Sequence, residues 1–150
     1  MHLKIFFSVI LLALATTVAV HGADKEKTLF DSEGEAVAYI ALDDELNIYL
    51  WKGEPVAYLK REAGDTHIYG FNGDHLGWFE KGVVYNSKGR AVGFVDGAIN
   101  KLKKLEPLKG LRKLTPLKAL EKLAPLKPLL KSEFSDTPLK AFLLQGSKDH

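Results

Sequence analysis

The chain has 150 residues, no Cys, one Met and a formal net charge of +2. A length of this order holds one small domain. Without Cys there is no disulfide framework, no thiol nucleophile and no Cys-based zinc site.

Met1–Gly22 opens with a short basic stretch (His2, Lys4) and continues as an uncharged apolar run from Ile5 to Ala15, followed by Thr16, Thr17 and Ala19. That order is the pattern of a secretory signal peptide. Cleavage after Gly22 fits, with Ala19 as the competing site. An uncleaved membrane anchor is the alternative, although Ile5–Val20, interrupted by Ser8, Thr16 and Thr17, is short for a bilayer-spanning helix. The expectation is export, periplasmic or extracellular.

Charge is partitioned along the remainder. Residues 23–100 carry eight Lys or Arg and fourteen Asp or Glu, a net −6. Residues 101–131 carry ten basic residues against Glu106 and Glu121, a net +8. The near-neutral total hides an acidic domain followed by a basic tail.

Within residues 23–100, four segments align without gaps: Phe30 to Ile40, Tyr49 to Leu59, Tyr69 to Phe79 and Tyr85 to Val95. Each opens on an aromatic and has Gly four residues on (Gly34, Gly53, Gly73, Gly89). Val or Leu follows (Val37, Val56, Leu76, Val92), then Ala or Gly (Ala38, Ala57, Gly77, Gly93), then a closing aromatic (Tyr39, Tyr58, Trp78, Phe94). A polar stretch ending in Gly is turn chemistry, because Gly supplies the positive φ of a short loop. The flanking Val, Ile, Tyr and Phe favour strands. Each copy reads as a β-hairpin. Strict alternation sends Val37, Tyr39 and their counterparts to one face, and Ala38 and Ile40 to the other.

A lone hairpin is marginal in water, and an open row of four without disulfides exposes its edges. Closure around a pseudo-four-fold axis removes both problems, and the small residue before each closing aromatic suits a crowded axis. The expected fold is therefore mainly β: four repeated hairpins closed into a small propeller- or flower-like ring, with a flat or twisted meander as the competing reading. The stretch YGFNGDHLGWFEKGVVYNSKGRAVGF from Tyr69 to Phe94 is similar to the motif of the bacterial 4-fold beta flower family, and YLWKGEPVAYL from Tyr49 matches the preceding unit. The resemblance covers residues 28–100 and the closing segment Ser135–Leu144. It implies a four-petalled ring of hairpins and brings no established activity with it. A looser likeness, to choline-binding and other aromatic–Gly hairpin repeats, rests on turn and aromatic spacing alone.

The tail, residues 101–131, carries Leu at every third position from Leu102 to Leu129. A nine-residue unit, L-x-P-L-K-x-L-x-K, starts at Leu105, Leu114 and Leu123, with Pro107, Pro116 and Pro125 in phase. A period of three circles an α-helix instead of lining one face, and each Pro biases the residue before it away from the helical region. Polyproline II, with three residues per turn, puts every Leu on one edge. Short kinked helices, each starting at a Pro, are the alternative. Residues 132–150 close the chain, with Phe134–Leu144 as an apolar segment able to dock on the β domain.

Two residues after the opening aromatic, the copies carry Ser32, Trp51, Phe71 and Ser87. One half of a ring is then aromatic. Tyr49, Trp51, Tyr69 and Phe71 are the candidate stacking surface for an envelope glycan, a quaternary amine or an apolar peptide, with core packing as the competing explanation. His67 and His75 flank the third turn near Asp65 and Asp74, and are candidate metal ligands or a general base; hydrogen-bonded hairpin histidines explain them as well. No catalytic set of nucleophile, His and acid assembles, and no cofactor is implied. The composite expectation is an exported, non-catalytic binding or scaffold module of the cell envelope. Its alternatives are a metal- or His-dependent envelope hydrolase, and a structural protein held to an anionic membrane surface by residues 101–131; the rival to that membrane contact is a tail covering the acidic domain with its leucines buried on the hairpins. The Leu stripe and the lack of aromatics among the lysines argue against nucleic acid.

Overall fold

The computed structural model describes residues 25–148; the leader with His21, and the terminal His150, lie outside them. Eight strands follow in order: β1 (Glu26–Phe30), β2 (Ala36–Ala41), β3 (Asn47–Leu50), β4 (Pro55–Glu62), β5 (Asp65–Gly70), β6 (His75–Glu80), β7 (Val83–Asn86) and β8 (Arg90–Phe94). Each sequence repeat is one hairpin. Every strand pairs antiparallel with the next, and β1 pairs with β8 through Phe30 and Phe94. The sheet is a closed eight-stranded barrel, with hydrogen bonds between repeats as well as within them. A ninth strand, β9 (Lys131–Phe134), adds parallel to β8, and a short helix α1 (Leu139–Leu144) follows. No helix among the described residues is long and apolar enough to cross a membrane.

The interior is aliphatic. Leu29, Ala38, Ile40, Ile48, Ala57, Leu59, Ile68, Val84 and neighbours form one buried cluster, which fits the narrow interior of an eight-stranded barrel. Helix α1 inserts Leu139, Phe142 and Leu143 into this cluster. At Gly93 an added β-carbon would come within 2.8 Å of Leu139, so the small residue there makes room for the helix.

Simple alternation fails at one position per repeat. Leu29 pairs with Ala38 but Phe30 with Ala36, so Val37 is bulged out of the ladder. Val56, Leu76 and Val92 are skipped in the same way in the other hairpins. A bulge re-aims a side chain. Val56, Leu76 and Val92 therefore join the interior, while the closing aromatics Tyr39, Tyr58 and Phe94 belong to separate clusters.

Residues 101–130 form neither helix nor strand, so the kinked-helix alternative does not occur. The segment is a strap around the barrel. Backbone N–H groups of Lys104, Lys113, Lys122 and Lys131 donate to the carbonyls of Gly34, Gly53, Gly73 and Gly89 at 2.8–3.0 Å. Nine strap residues thus match one hairpin. Gly110 and Ala119 donate in addition to Trp51 O and Phe71 O. The carbonyl oxygens of Leu102, Leu111, Leu120 and Leu129 cover the same four glycines where a β-carbon would stand. That close approach needs Gly, beyond the positive φ that each turn imposes.

Candidate functional site

Between consecutive repeats the outer surface forms a groove in which the closing aromatic meets the next opening aromatic. Tyr39 is the register partner of Tyr49, Tyr58 of Tyr69, Trp78 of Tyr85 and Phe94 of Phe30. Tyr39 stacks on Tyr49 at 5.5 Å between ring centroids, and Tyr58 on Tyr69 at 6.2 Å. A third ring completes each groove. Trp51 fills it beside Tyr39, and Phe71 beside Tyr58. In the third groove, where the following repeat has Ser87, His75 packs against Trp78 at 4.7 Å. In the fourth, where Ser32 follows, Phe134 of β9 takes the place beside Phe94.

The strap lies across these grooves and places cations on them. Lys109 sits 4.7 Å from the Tyr39 ring centroid and 5.2 Å from that of Trp51, and Lys118 sits 4.3 Å from that of Tyr58. Arg112 covers Tyr39 and Tyr49. Two lysine series at nine-residue spacing find acids at matching places in the repeats. Lys104, Lys113 and Lys122 pair with Glu35, Glu54 and Asp74 at 3.0, 3.1 and 2.5 Å. Lys109, Lys118 and Lys127 pair with Glu26, Glu45 and Asp65, each four residues before an opening aromatic. Lys103 and Arg112 reach Asp96 and Asp43. The acidic domain and the basic tail are two halves of one contact. Burial alone would push the Glu26 carboxyl up, but Lys109 and Arg112 outweigh it and hold Glu26 below the usual carboxylate range. Glu121, the strap's own acid, is likewise held down by Lys60 and the Tyr58 hydroxyl against the effect of burial.

The leucines take no part in this contact. Leu102, Leu105, Leu108, Leu111, Leu114, Leu117, Leu120, Leu123, Leu126 and Leu129 are 83–98% exposed. They are a continuous apolar row on the outside of the strap.

The expected stacking surface is not open. Tyr49, Tyr69 and Phe71 are 1–2% exposed and Trp51 is 9% exposed. Trp51 Nε1 donates to Pro107 O at 3.0 Å, and the Tyr69 hydroxyl donates to Lys122 O at 3.0 Å. The difference between aromatic and Ser copies is a packing solution, since other side chains fill the slots beside Trp78 and Phe94. The cation–π partners are the chain's own lysines and arginine. His67 and His75 do come together, with Nδ1 and Nε2 at 3.0 Å. Burial, reinforced by the charge of His67, lowers the His75 pKa to about 4. The carboxylates expected beside them are engaged by the strap, Asp65 with Lys127 and Asp74 with Lys122. Sequence reasoning missed the register between strap and hairpins. Its signal was present: a nine-residue unit recurring beside four glycine turns.

A family model described as 4-fold beta flower protein matches residues 27–143. The chain belongs to the 4-fold beta flower family. The match begins in β1 and ends within α1, with residues 101–131 lying between its ends. No curated protein and no solved structure matches the chain.

Proposed function

We propose that this beta flower protein is an exported, non-catalytic scaffold or binding module of the cell envelope. Its hairpins are petals about a pseudo-four-fold axis, girdled by the chain's own strap in polyproline II conformation. Three residues per turn give such a strap three edges. One carries Lys103, Lys109, Arg112, Lys118, Lys127 and Glu121 onto the grooves, one donates N–H groups to the turns and bears Lys104, Lys113 and Lys122, and the third holds the leucines.

The outward leucine row is the observation that carries the reading. Leucines exposed singly are ordinary on a protein surface, but ten in register along one strand are not. Ten exposed leucines, at roughly 100 Å² each, present on the order of 1,000 Å².

The test is recovery of partners from the native envelope with the full mature chain. Parent protein should retain an envelope fraction that a variant with all ten leucines of the row replaced by Gln loses. Equal recovery by both would remove the leucine row from the function. A hydrolysis screen of envelope polymers covers the enzymatic alternative: turnover that vanishes in His75→Ala would overturn the non-catalytic reading.

A further inference from the structure

We infer that the leucine row docks on the interfacial region of a lipid bilayer, and that it does so with little regard to headgroup charge. This rests on the scaffold reading above and names the partner. Of the ten basic residues in 101–131, Lys103, Lys104, Lys109, Arg112, Lys113, Lys118, Lys122 and Lys127 are all ion-paired to acids of the β domain. The attraction for an anionic surface that the bare count suggests is largely answered inside the molecule. What faces outward is apolar.

The shape of the row selects lipid over a protein groove. Neighbouring leucines are three residues apart, about 9 Å in an extended three-fold strand. They stand in a single curved file, and each is at least 83% exposed, so no second apolar row packs beside them. A protein interface needs a packed, contiguous apolar centre. Acyl chains fill around separated side chains without any complementary surface, and a planar bilayer meets the girdling row one arc at a time. The strap amides that hold its roll, from Lys104 to Lys131, donate to hairpin carbonyls. The leucines are therefore presented on a fixed frame, not on a peptide that must fold at the membrane.

The experiment uses the full mature chain in three parallel measurements: flotation with neutral phosphatidylcholine vesicles, flotation with vesicles containing anionic phosphatidylglycerol, and sedimentation without lipid. Parent protein should float with both vesicle types, with less than about a threefold difference between them or between low and high salt. The variant with all ten leucines of the row replaced by Gln should lose at least about a hundredfold in partitioning and keep the parent melting temperature. Binding confined to anionic vesicles and abolished by salt overturns the inference, because it means the lysines leave the petals. Absence of flotation with leucine-dependent self-association also overturns it, while leaving the scaffold reading in place. If the Gln variant melts lower and neither flotation nor self-association occurs, the leucines are packing residues and both readings fall.

Discussion

Lys113 donates its backbone N–H to Gly53 O at 3.0 Å, and the carbonyl of Leu111 covers the same glycine. Gly53 has φ +102°, so Ala there meets both backbone strain and the strap. Gly64 has φ +84° but nothing within 4 Å of an added β-carbon. Gly64→Ala should cost about 1–2 kcal/mol, and Gly53→Ala clearly more. Urea denaturation measures the difference, and hydrogen exchange at the Lys113 amide reports the loosened strap. Equal costs would mean that the strap does not bear on the turn.

Salt should loosen the strap as a unit. Its ion pairs are mostly half exposed and individually weak, and the screening length falls to about 3 Å at 1 M salt. Exchange at the Lys104, Lys113 and Lys122 amides should quicken together between about 0.05 and 1 M salt, while ladder amides of β5 and β6 hold. Glu26→Lys, which removes the partner of both Lys109 and Arg112, should produce the same opening at low salt.

Trp51 distinguishes packing from ligand stacking. It is 9% exposed, edge-on to Tyr39, and bonded to Pro107 O. Trp51→Ala should lower stability by about 3–5 kcal/mol, and Trp51→Phe by less. An unchanged melting temperature in Trp51→Ala would restore the open stacking surface as a role for this residue.

His75 should make stability fall in mild acid. Its folded pKa of about 4 lies below the ordinary value of 6.5, so the unfolded chain binds the proton first. The neutral ring's contribution is fully present above pH 6.5 and is lost as pH falls toward 4. After discounting for its partial exposure, about 1–2 kcal/mol is involved. Parent protein should lose more stability than His75→Asn between pH 7 and 4.5; parallel losses would place the acid sensitivity in the paired carboxylates instead.

The hairpins were legible because each carries its own instruction: aromatic, Gly turn, small residue, aromatic. Closure was legible from the edges that four open hairpins would leave, and β1 pairs with β8; the small residues expected at an axis instead make room at Gly77 for Tyr85 O and at Gly93 for Leu139. The bulges were not, since a residue such as Val56 suits either face of a strand, and only pairing of Tyr49 with Pro55 around it shows that it has left the ladder. The aromatic asymmetry was visible as Trp51 and Phe71 against Ser32 and Ser87. Its meaning depended on His75 and Phe134, which arrive at the vacant slots from another strand and from beyond the strap.

The strap shows where sequence stops and tertiary structure decides. A period of three in Leu, the nine-residue unit and the surplus of lysine are properties of the sequence, and they favour an extended strand with three edges over a helix. Which edge faces the body is not among them, because burying leucines and pairing lysines are both favourable. The barrel decides it. Its hairpins offer carbonyls at Gly34, Gly53, Gly73 and Gly89, and acids such as Glu26, Glu45 and Asp65, at the strap's own nine-residue interval. Once the amides of Lys104, Lys113, Lys122 and Lys131 are donated to those carbonyls, the roll of the strand is set. The leucines then have no direction left but outward.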